Sequence, residues 1–354
     1  MKILLAAPQS QDTPLGAIGG HCKKALENLG YDLQVFDFRQ SQYLKSPAAS
    51  FLKKGINKIF PSLPYRIPFV NSMDKDKMNS SLLTIAEEYQ PDALLVLMGD
   101  TILPQTLGKI RKQGTITINW FQDTVLAPMR KDFVQAISPY YDYFFMIDSE
   151  DILNYVKVKS RFIKTIPVAC NPQAHKNIDL SEKEKNRYGN EVCFVGSVDL
   201  RREEILPQLS DFDLGIWGNW LRKIPELKEY YRRRHVYGEE VVKIYNASKI
   251  VVDIPLSYEA RGRIFCVTPR VFEVSACGAF ILTDATSPVS GLYEIGKEIV
   301  CYRDEKDLKG LIRYYLSRPE ERKRIAKGGQ ERAYRDHTYE KRLGEIFSII
   351  EKNR

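Results

Sequence analysis

The sequence predicts an α/β protein made of two doubly wound parallel sheets, and three observations lead to this fold class. Short apolar runs alternate with amphipathic stretches, which is the rhythm of repeated β-α-β units. This rhythm stops near residue 170 and restarts near residue 191. With 354 residues, the chain is long enough for two domains that each bury a core.

The first domain is predicted over residues 1–172 and has a Rossmann-like pattern. Its strands are expected at the apolar runs KILLAA, YDLQVFDF, ALLVLMG, TITINW, YFFMID and RFIKTIPV. Helices between them give five or six parallel strands. Residues 171–190 carry charges, a proline and a glycine but no periodic apolar face, so a linker is placed at 173–190.

The second domain is predicted over residues 191–335. Its strands are expected at EVCFVGS, DLGIWG, KIVVDI, AFILTD and EIVCY. The runs from Cys193 to Val195 and from Phe280 to Leu282 are apolar throughout, as in strands that helices cover on both faces. A closing helix at 336–354 could pack back on the first domain.

Composition excludes several classes of protein. The fraction of apolar residues, 44%, is that of a globular chain, and no apolar run approaches the ~20 residues of a membrane span. Six cysteines without a CxxC pair, and a start that does not resemble a signal peptide, predict a cytoplasmic protein. The net charge of +8 favours anionic partners, although no nucleic-acid partner is predicted.

One amphipathic stretch lies in a region with few other signals. Residues 51–60 place Phe51, Ile56 and Phe60 on one helical face with lysines opposite. This face could contact a membrane surface or an acceptor, or simply pack on the first domain. The role of residues 41–80 stays open.

In open parallel sheets, ligands bind at the carboxyl ends of the strands, and two such domains would face each other across a cleft. In the first domain, Gly19 and Gly20 are expected to open the first helix with His21 at its start, either as a ligand loop or as a tight turn. Asp100 and Asp123 each follow a strand and could act as bases, with helix capping as the alternative for Asp100.

In the second domain, Gly196 and Ser197 follow a strand, and Arg201 and Arg202 begin the next helix. Backbone amides together with an arginine could cradle a diphosphate. The alternative is that the arginines lie on a solvated helix face. The coincidence of a strand end, small residues and arginine favours the cradle.

The segment TPRVFEVSACGAFILTD carries the strongest signal. Arg270 and Glu273 lie three residues apart on a predicted helix and therefore on the same side. Such a pair is often a surface salt bridge. Here the surrounding residues are apolar and lead into a buried strand, so a pair without a ligand would be poorly solvated.

These stretches resemble one known family. VFEVSACGAFILTD, the GKEIVCYRDEKDL segment that follows it, CFVGSVDLRREEILPQL, IYNASKIVVDI and, in the first domain, LVLMGDTILPQTL with NWFQDT are similar to the CgeB-type spore-maturation glycosyltransferases of the GT-B superfamily. The resemblance covers most of the chain and is most specific from Cys193 onward. It implies a GT-B fold and a nucleotide-sugar transferase, with a UDP-sugar favoured and an unidentified acceptor.

The resemblance also implies roles for individual residues. Glu273 would bind the ribose hydroxyls, and Arg270 and Arg201 would neutralise the diphosphate. Gly196 and Ser197 would add backbone contacts. The list of implied donor residues is completed by Tyr237 and Gly238, beside the nucleobase.

One departure from the family pattern bears on the stereochemical course, which stays open between inversion and retention. Retaining enzymes commonly carry a glutamate eight positions before the ribose glutamate, and Phe265 stands there in this chain. The pair His21 and Asp123 has the spacing of the base dyad of many inverting enzymes. The sequence therefore favours an inverting, metal-independent transferase, with an inactive nucleotide- or polyanion-binding module or a sugar-nucleotide epimerase as alternatives.

Overall fold

The computed structural model describes residues 1–9, 13–39, 68–127, 130–197, 199–218, 225–233, 236–256 and 264–353. They form two compact units. The first comprises Met1–Asp123, Met129–Met146 and Val156–Lys164, and the second comprises Thr124–Pro128, Ile147–Tyr155 and Thr165–Arg354. The amphipathic stretch at 51–60 lies outside the described residues. Among the described helices, none has both the length and the apolar character that a membrane crossing requires.

The first unit contains one parallel sheet and its flanking helices. The strands are β1 (Lys2–Ala6), β2 (Asp32–Phe36), β3 (Ala93–Leu97), β4 (Ile116–Phe121), β5 (Tyr143–Met146) and β6 (Phe162–Thr165). The helices are α1 (Pro14–Asn28), α2 (Pro68–Tyr89), α3 (Pro104–Lys112) and α4 (Arg130–Ile137). The strand order is β2-β1-β3-β4-β5-β6, so the chain changes direction across the sheet between β1 and β3. This reversal marks the place where such sheets bind ligands.

Helix α1 begins earlier than the sequence predicted. The Thr13 hydroxyl accepts a hydrogen bond of 3.1 Å from the amide of Gly16. Pro14 follows at the first helical position, where its lack of a backbone N–H leaves no donor unsatisfied. Gly19, Gly20 and His21 therefore lie inside the helix, and the expectation that they open it is wrong. A Cβ on Gly19 would lie 1.8 Å from the Pro8 carbonyl oxygen, so this glycine lets the helix approach the loop after β1.

The second unit contains the second parallel sheet, in the order β12-β11-β10-β7-β8-β9. The strands are β7 (Val192–Val195), β8 (Leu214–Trp217), β9 (Tyr231–Arg233), β10 (Ile250–Val252), β11 (Ile281–Asp284) and β12 (Val300–Tyr302). The helices are α5 (Glu182–Tyr188), α6 (Leu200–Ile205), α7 (Glu239–Ala247), α8 (Pro269–Ala276), α9 (Glu305–Leu316), α10 (Pro319–Asp336) and α11 (Tyr339–Lys352). Here the direction reverses between β7 and β10.

Apolar residues cover both faces of this sheet. Along β7, Val192 and Phe194 belong to one core with residues of α6 and α9, while Cys193 and Val195 belong to another with residues of α8. Successive strand residues point to opposite faces, so an uninterrupted apolar run is what a doubly covered strand requires. The segment 173–190, predicted as a linker, includes α5, where Ser181 and Glu184 form a capping box.

The beginning and the end of the long segment Thr165–Arg354 are hydrogen-bonded to each other. The amide of Cys170 donates to the His337 carbonyl at 2.9 Å, and the amide of Tyr339 donates to the Cys170 carbonyl at 3.1 Å. The His337 ring is buried beside α8, with Nε2 2.9 Å from the Leu292 carbonyl and Nδ1 2.9 Å from Nη2 of Arg342. Burial lowers the pKa of His337 to about 4.

Candidate functional site

The reversal between β7 and β10 brings charged side chains to the carboxyl edge of the second sheet. Asp253 follows β10 directly and is 1% exposed. Its Oδ1 accepts from Nε of Arg270 at 2.9 Å and from the Thr268 hydroxyl at 2.8 Å, and its Oδ2 accepts from the Thr283 hydroxyl at 2.9 Å. Together with the Tyr302 hydroxyl, which donates to the Asp253 carbonyl, these four partners lie at the start of α8 and on β11 and β12, and they fix this residue.

Arg270 stands in the first turn of α8 and is aimed back at the ends of β7 and β10. Besides Asp253, its guanidinium donates to the Val195 carbonyl at 2.8 Å and to the Ile254 carbonyl at 3.4 Å. Glu273 is one turn further along α8 and half-buried. The described partners of Arg270 do not include Glu273, because the arginine is taken up by the strand ends instead.

Arg202 lies beside Arg270 and was assigned no separate role in the sequence analysis. It is 3% exposed, and it donates to the Ile254 carbonyl and to the Ser197 carbonyl, both at 2.9 Å. The guanidinium carbons of Arg202 and Arg270 lie 5.1 and 5.2 Å from the centre of the Phe194 ring. Burial, reinforced by the charge of Arg270, lowers the pKa of Arg202 to about 9.

The cluster formed by Arg202, Arg270 and Asp253, here called the arginine cluster, has an excess of positive charge. Asp253 compensates Arg270, while no carboxylate of the described ranges lies within ion-pair distance of Arg202. A buried cation without a counterion is costly, and an anion at this edge would relieve that cost. The geometry thus suits an anionic ligand at the carboxyl edge.

Arg201 has a different environment. Its guanidinium is ion-paired with Asp284, a buried carboxylate at the end of β11 that also accepts from the amide of Thr286 at 2.7 Å. The charge of Arg201 is therefore matched within the protein. Of the two neighbouring arginines, Arg202 is the one without an ion-pair partner among the described residues.

Gly196 and Ser197, which follow β7, lie at this edge. The amide of Gly196 donates to the Trp217 carbonyl at 2.9 Å, so this amide is already engaged within the sheet. A Cβ on Gly196 would lie 2.9 Å from Nη1 of Arg270, and the residue thus makes room for the guanidinium. Further along, Gly238 precedes α7 with a φ of +55°, beside a half-buried Tyr237.

Two of the predicted residues of the first unit, Asp123 and Asp100, follow strands at the carboxyl edge of its sheet. Asp123 follows β4 and pairs with Arg130, whose Nε lies 3.1 Å from Oδ2. Asp100 does not cap α3, because that helix begins at Pro104 after Leu103. Instead, Oδ2 of Asp100 lies 3.9 Å from a guanidinium nitrogen of Arg39. His21 is half-buried in the middle of α1.

Two further features of the second unit and the described residues concern a metal site and the position eight residues before Glu273. Within it, no group of three or more histidine, cysteine, aspartate or glutamate side chains could hold a metal ion. Phe265, at the position of the retaining-type glutamate, is 2% exposed and packs edge-on against Tyr155.

Comparison with known proteins bears on the family resemblance and on the fold. Residues 201–348 match the family described as glycosyl transferase-like. The chain is similar to the spore protein CgeB of Bacillus subtilis, with 22% identity over 276 residues that cover 72% of this chain and 81% of CgeB. The resemblance predicted from the sequence is confirmed.

Solved structures show the fold of this chain. A sucrose-phosphate synthase from Thermosynechococcus elongatus is similar over all of both chains, with 13% identity and a TM-score of 0.68. A glycosyltransferase from Rickettsia africae covers 99% of this chain and 98% of its own, with 12% identity and a TM-score of 0.65. HepE from Anabaena, solved with UDP and glucose, covers 99% and 100%, with 12% identity and a TM-score of 0.61. The GT-B fold is thus confirmed.

Proposed function

We propose that this protein transfers a sugar from a nucleoside-diphosphate donor to an acceptor hydroxyl, with a UDP-sugar as the donor. The observation that carries the proposal is the arginine cluster at the carboxyl edge of the second sheet. It combines the buried guanidinium of Arg202 and the half-buried guanidinium of Arg270 with a single paired carboxylate, Asp253. The match to a glycosyl transferase-like family over the same unit supports the reaction class, and the UDP complex of HepE supports the nucleotide.

Arg270 and Arg202 neutralise the diphosphate of the donor in this proposal. When the glycosidic bond breaks, negative charge accumulates on the leaving diphosphate, and preorganised cations stabilise that charge. This source of positive charge makes the transfer independent of a divalent metal. Arg201 contributes less, because Asp284 already holds its guanidinium.

The remaining donor contacts follow the family resemblance. Glu273 binds the ribose hydroxyls from the half-buried side of α8, and Tyr237 with Gly238 lies beside the nucleobase. Ser197 borders the phosphates. We assign no phosphate contact to the amide of Gly196, which is already bonded to Trp217.

For the chemical step, we propose inversion with Asp123 as the base that removes the proton of the acceptor hydroxyl. The ion pair with Arg130 orients this carboxylate and must loosen when the proton is accepted. His21, in the middle of α1, assists in this scheme. Asp123→Asn should lower kcat by about a hundredfold or more, with the Kd for UDP unchanged. An equal loss of UDP affinity would point to a binding role.

The experiment that tests the function is a donor screen on the full chain. UDP, GDP and their sugar conjugates are added, and the melting temperature and the release of free nucleotide are followed. A ligand at a hundred times its Kd adds about 2.7 kcal/mol to stability. Stabilisation by UDP that Arg270→Ala abolishes, together with slow donor hydrolysis, supports a transferase.

Three other results would separate the alternatives. UDP binding without hydrolysis or transfer would indicate a binding module. Conversion of the donor into another sugar nucleotide without acceptor would indicate an epimerase. Activity that EDTA abolishes and manganese restores would contradict the metal-independent mechanism.

A further inference from the structure

The carboxyl edge of β3 and β4 in the first unit holds buried polar atoms without a hydrogen-bond partner among the described residues. These are Oδ1 of Asp100, Oγ1 of Thr101, and both Oε1 and Nε2 of Gln122. Gln122 is only 9% exposed. Because a buried polar group normally finds a partner, several such atoms at one strand edge need an explanation.

Local folding leaves these side chains unused although it satisfies the backbone around them. Asn79 of α2 donates to the Thr101 carbonyl at 3.0 Å and accepts from the amide of Leu103 at 2.8 Å. The entry into α3 is thus held by Asn79. Neither Asp100 nor Thr101 caps that helix, so their side chains do not serve the turn.

The backbone that carries them is strained. Met98 has a φ of +64°, one of two positive values among the described residues other than glycine, and Gly99 follows with +81°. The side-chain amide of Asn119 on β4 donates to the Met98 carbonyl at 3.1 Å and holds this conformation. A Cβ on Gly99 would lie 2.7 Å from Cγ1 of Val96. Strain that the surroundings enforce is typical of ligand-binding segments.

The chemistry of this edge favours an uncharged ligand. Gln122 offers an amide donor and acceptor, Thr101 a hydroxyl, and Asp100 a carboxylate oxygen. The nearby cations are already engaged, since Arg39 lies by Asp100 and Arg130 pairs with Asp123. A phosphate or carboxylate on the ligand would meet two carboxylates here, whereas sugar hydroxyls both donate and accept.

We propose that the carboxyl edge of β3 and β4 binds an uncharged, hydroxyl-bearing sugar through Gln122, Thr101 and Asp100. The inference deepens the proposed function, because it takes this sugar to be the acceptor. It names a class of acceptor, neutral sugars rather than sugar phosphates. Glycoside binding is measured in the absence of nucleotide and UDP binding in a separate experiment, so that its failure is distinguishable from failure of the proposed donor site.

The test measures binding to the full chain by saturation-transfer NMR. The probes are the methyl glycosides of glucose, galactose, mannose, rhamnose and N-acetylglucosamine, with glucose 6-phosphate as the anionic counterpart. The variants are Gln122→Leu and Thr101→Val. The matched control is Gln113→Leu, which removes an exposed glutamine just before the amino end of the same strand β4. UDP binding is measured separately on every variant.

We expect at least one neutral glycoside to bind, and each site variant to lower the affinity for that glycoside by about three- to tenfold. The glycoside affinity of Gln113→Leu and the UDP affinity of every variant should stay unchanged. The melting temperature of Gln122→Leu should be unchanged or higher, because the variant removes unsatisfied polar atoms. The proposal is overturned if no glycoside binds, if glucose 6-phosphate binds better, or if Gln122→Leu unfolds at a lower temperature with binding intact. Absence of UDP binding to the protein without substitutions would instead contradict the donor site.

Discussion

The carboxyl edges of the two sheets solve the same problem in opposite ways. In the second unit, Asp253, Arg270 and Arg202 are held by hydrogen bonds from several elements, and the excess charge is in place before any ligand arrives. In the first unit, Thr101 and Gln122 are left without described partners on a strained backbone. The comparison teaches that a site for a charged group must be held by hydrogen bonds from several elements, because buried like charges repel each other and lose their hydration. A site for hydroxyl groups can leave single hydrogen bonds open at a smaller cost.

Removing Asp253 should have the largest effect. Asp253→Ala removes the carboxylate that pairs with Arg270 beside the buried Arg202, and we expect the free energy of unfolding to fall by about 3–5 kcal/mol. Urea denaturation followed by circular dichroism measures it. The control is Asp211→Ala, whose carboxylate pairs with Lys309 and Arg313 but is half-exposed, and which should cost less than about 1 kcal/mol. Similar losses for both variants would show that the arginine cluster is not a coupled unit.

The next effect separates the two neighbouring arginines. Arg202→Met should weaken UDP binding by about 1.5–3 kcal/mol, roughly ten- to hundredfold, with stability unchanged or improved because a buried cation is removed. Arg201→Met should leave UDP affinity nearly unchanged and lower the stability, because it leaves the buried Asp284 without its ion-pair partner. Calorimetric titration with UDP and thermal melting measure the two effects. Equal loss of UDP affinity in both variants would show that Arg201 binds the diphosphate as strongly as Arg202 does.

A smaller effect concerns the pH dependence of the second unit. The pKa of His337 is about 4 when folded and near 6.5 in an unfolded chain, so the unfolded state binds more protons between these values. Stability is therefore complete above pH 6.5 and falls as the pH drops, by about 2 kcal/mol at pH 5. Arg342 opposes protonation directly, and Asp336 favours it. His337→Gln should flatten this part of the stability curve, and an unchanged slope would contradict the assignment.

The smallest effect tests whether strain in the first unit is specific to its edge. Gln90, just after α2, is exposed and has a φ of +49°. Gln90→Gly should relieve this strain and raise stability by about 0.5–1 kcal/mol without changing glycoside binding. Thermal melting of the variant checks the gain. A loss of stability would mean that the left-handed conformation at Gln90 is supported by contacts of its side chain.

The fold was predictable because parallel strands covered on both faces leave a strong trace in the sequence. Runs such as CFV and ILT, each ending in a small or charged residue, located β7 and β11 and the edge at which they end. The same pattern would have identified Asp253, since KIVVDI places a carboxylate directly after an apolar strand. That run predicts a strand as well, and only this second property was used.

Other features depend on distances that no local pattern encodes. The start of α1 was misplaced because glycines suggested a break, while Thr13 and Pro14 supplied the stronger start signal. Which arginine is compensated depends on Asp284, which is 83 residues from Arg201. The unpartnered state of Gln122 is likewise a property of packing, because an amide in a sequence carries no sign of whether it will find a partner.

The hydrogen bonds between Cys170 and the segment from His337 to Tyr339 have a practical consequence. They bring the start of the long carboxy-terminal stretch next to the start of its last helix, so this part of the polypeptide is nearly a closed ring. Chains whose ends meet tolerate circular permutation and grafting into a host. New termini at Gly296, where φ is +84° and a Cβ would meet no heavy atom within 4 Å, would leave that ring intact.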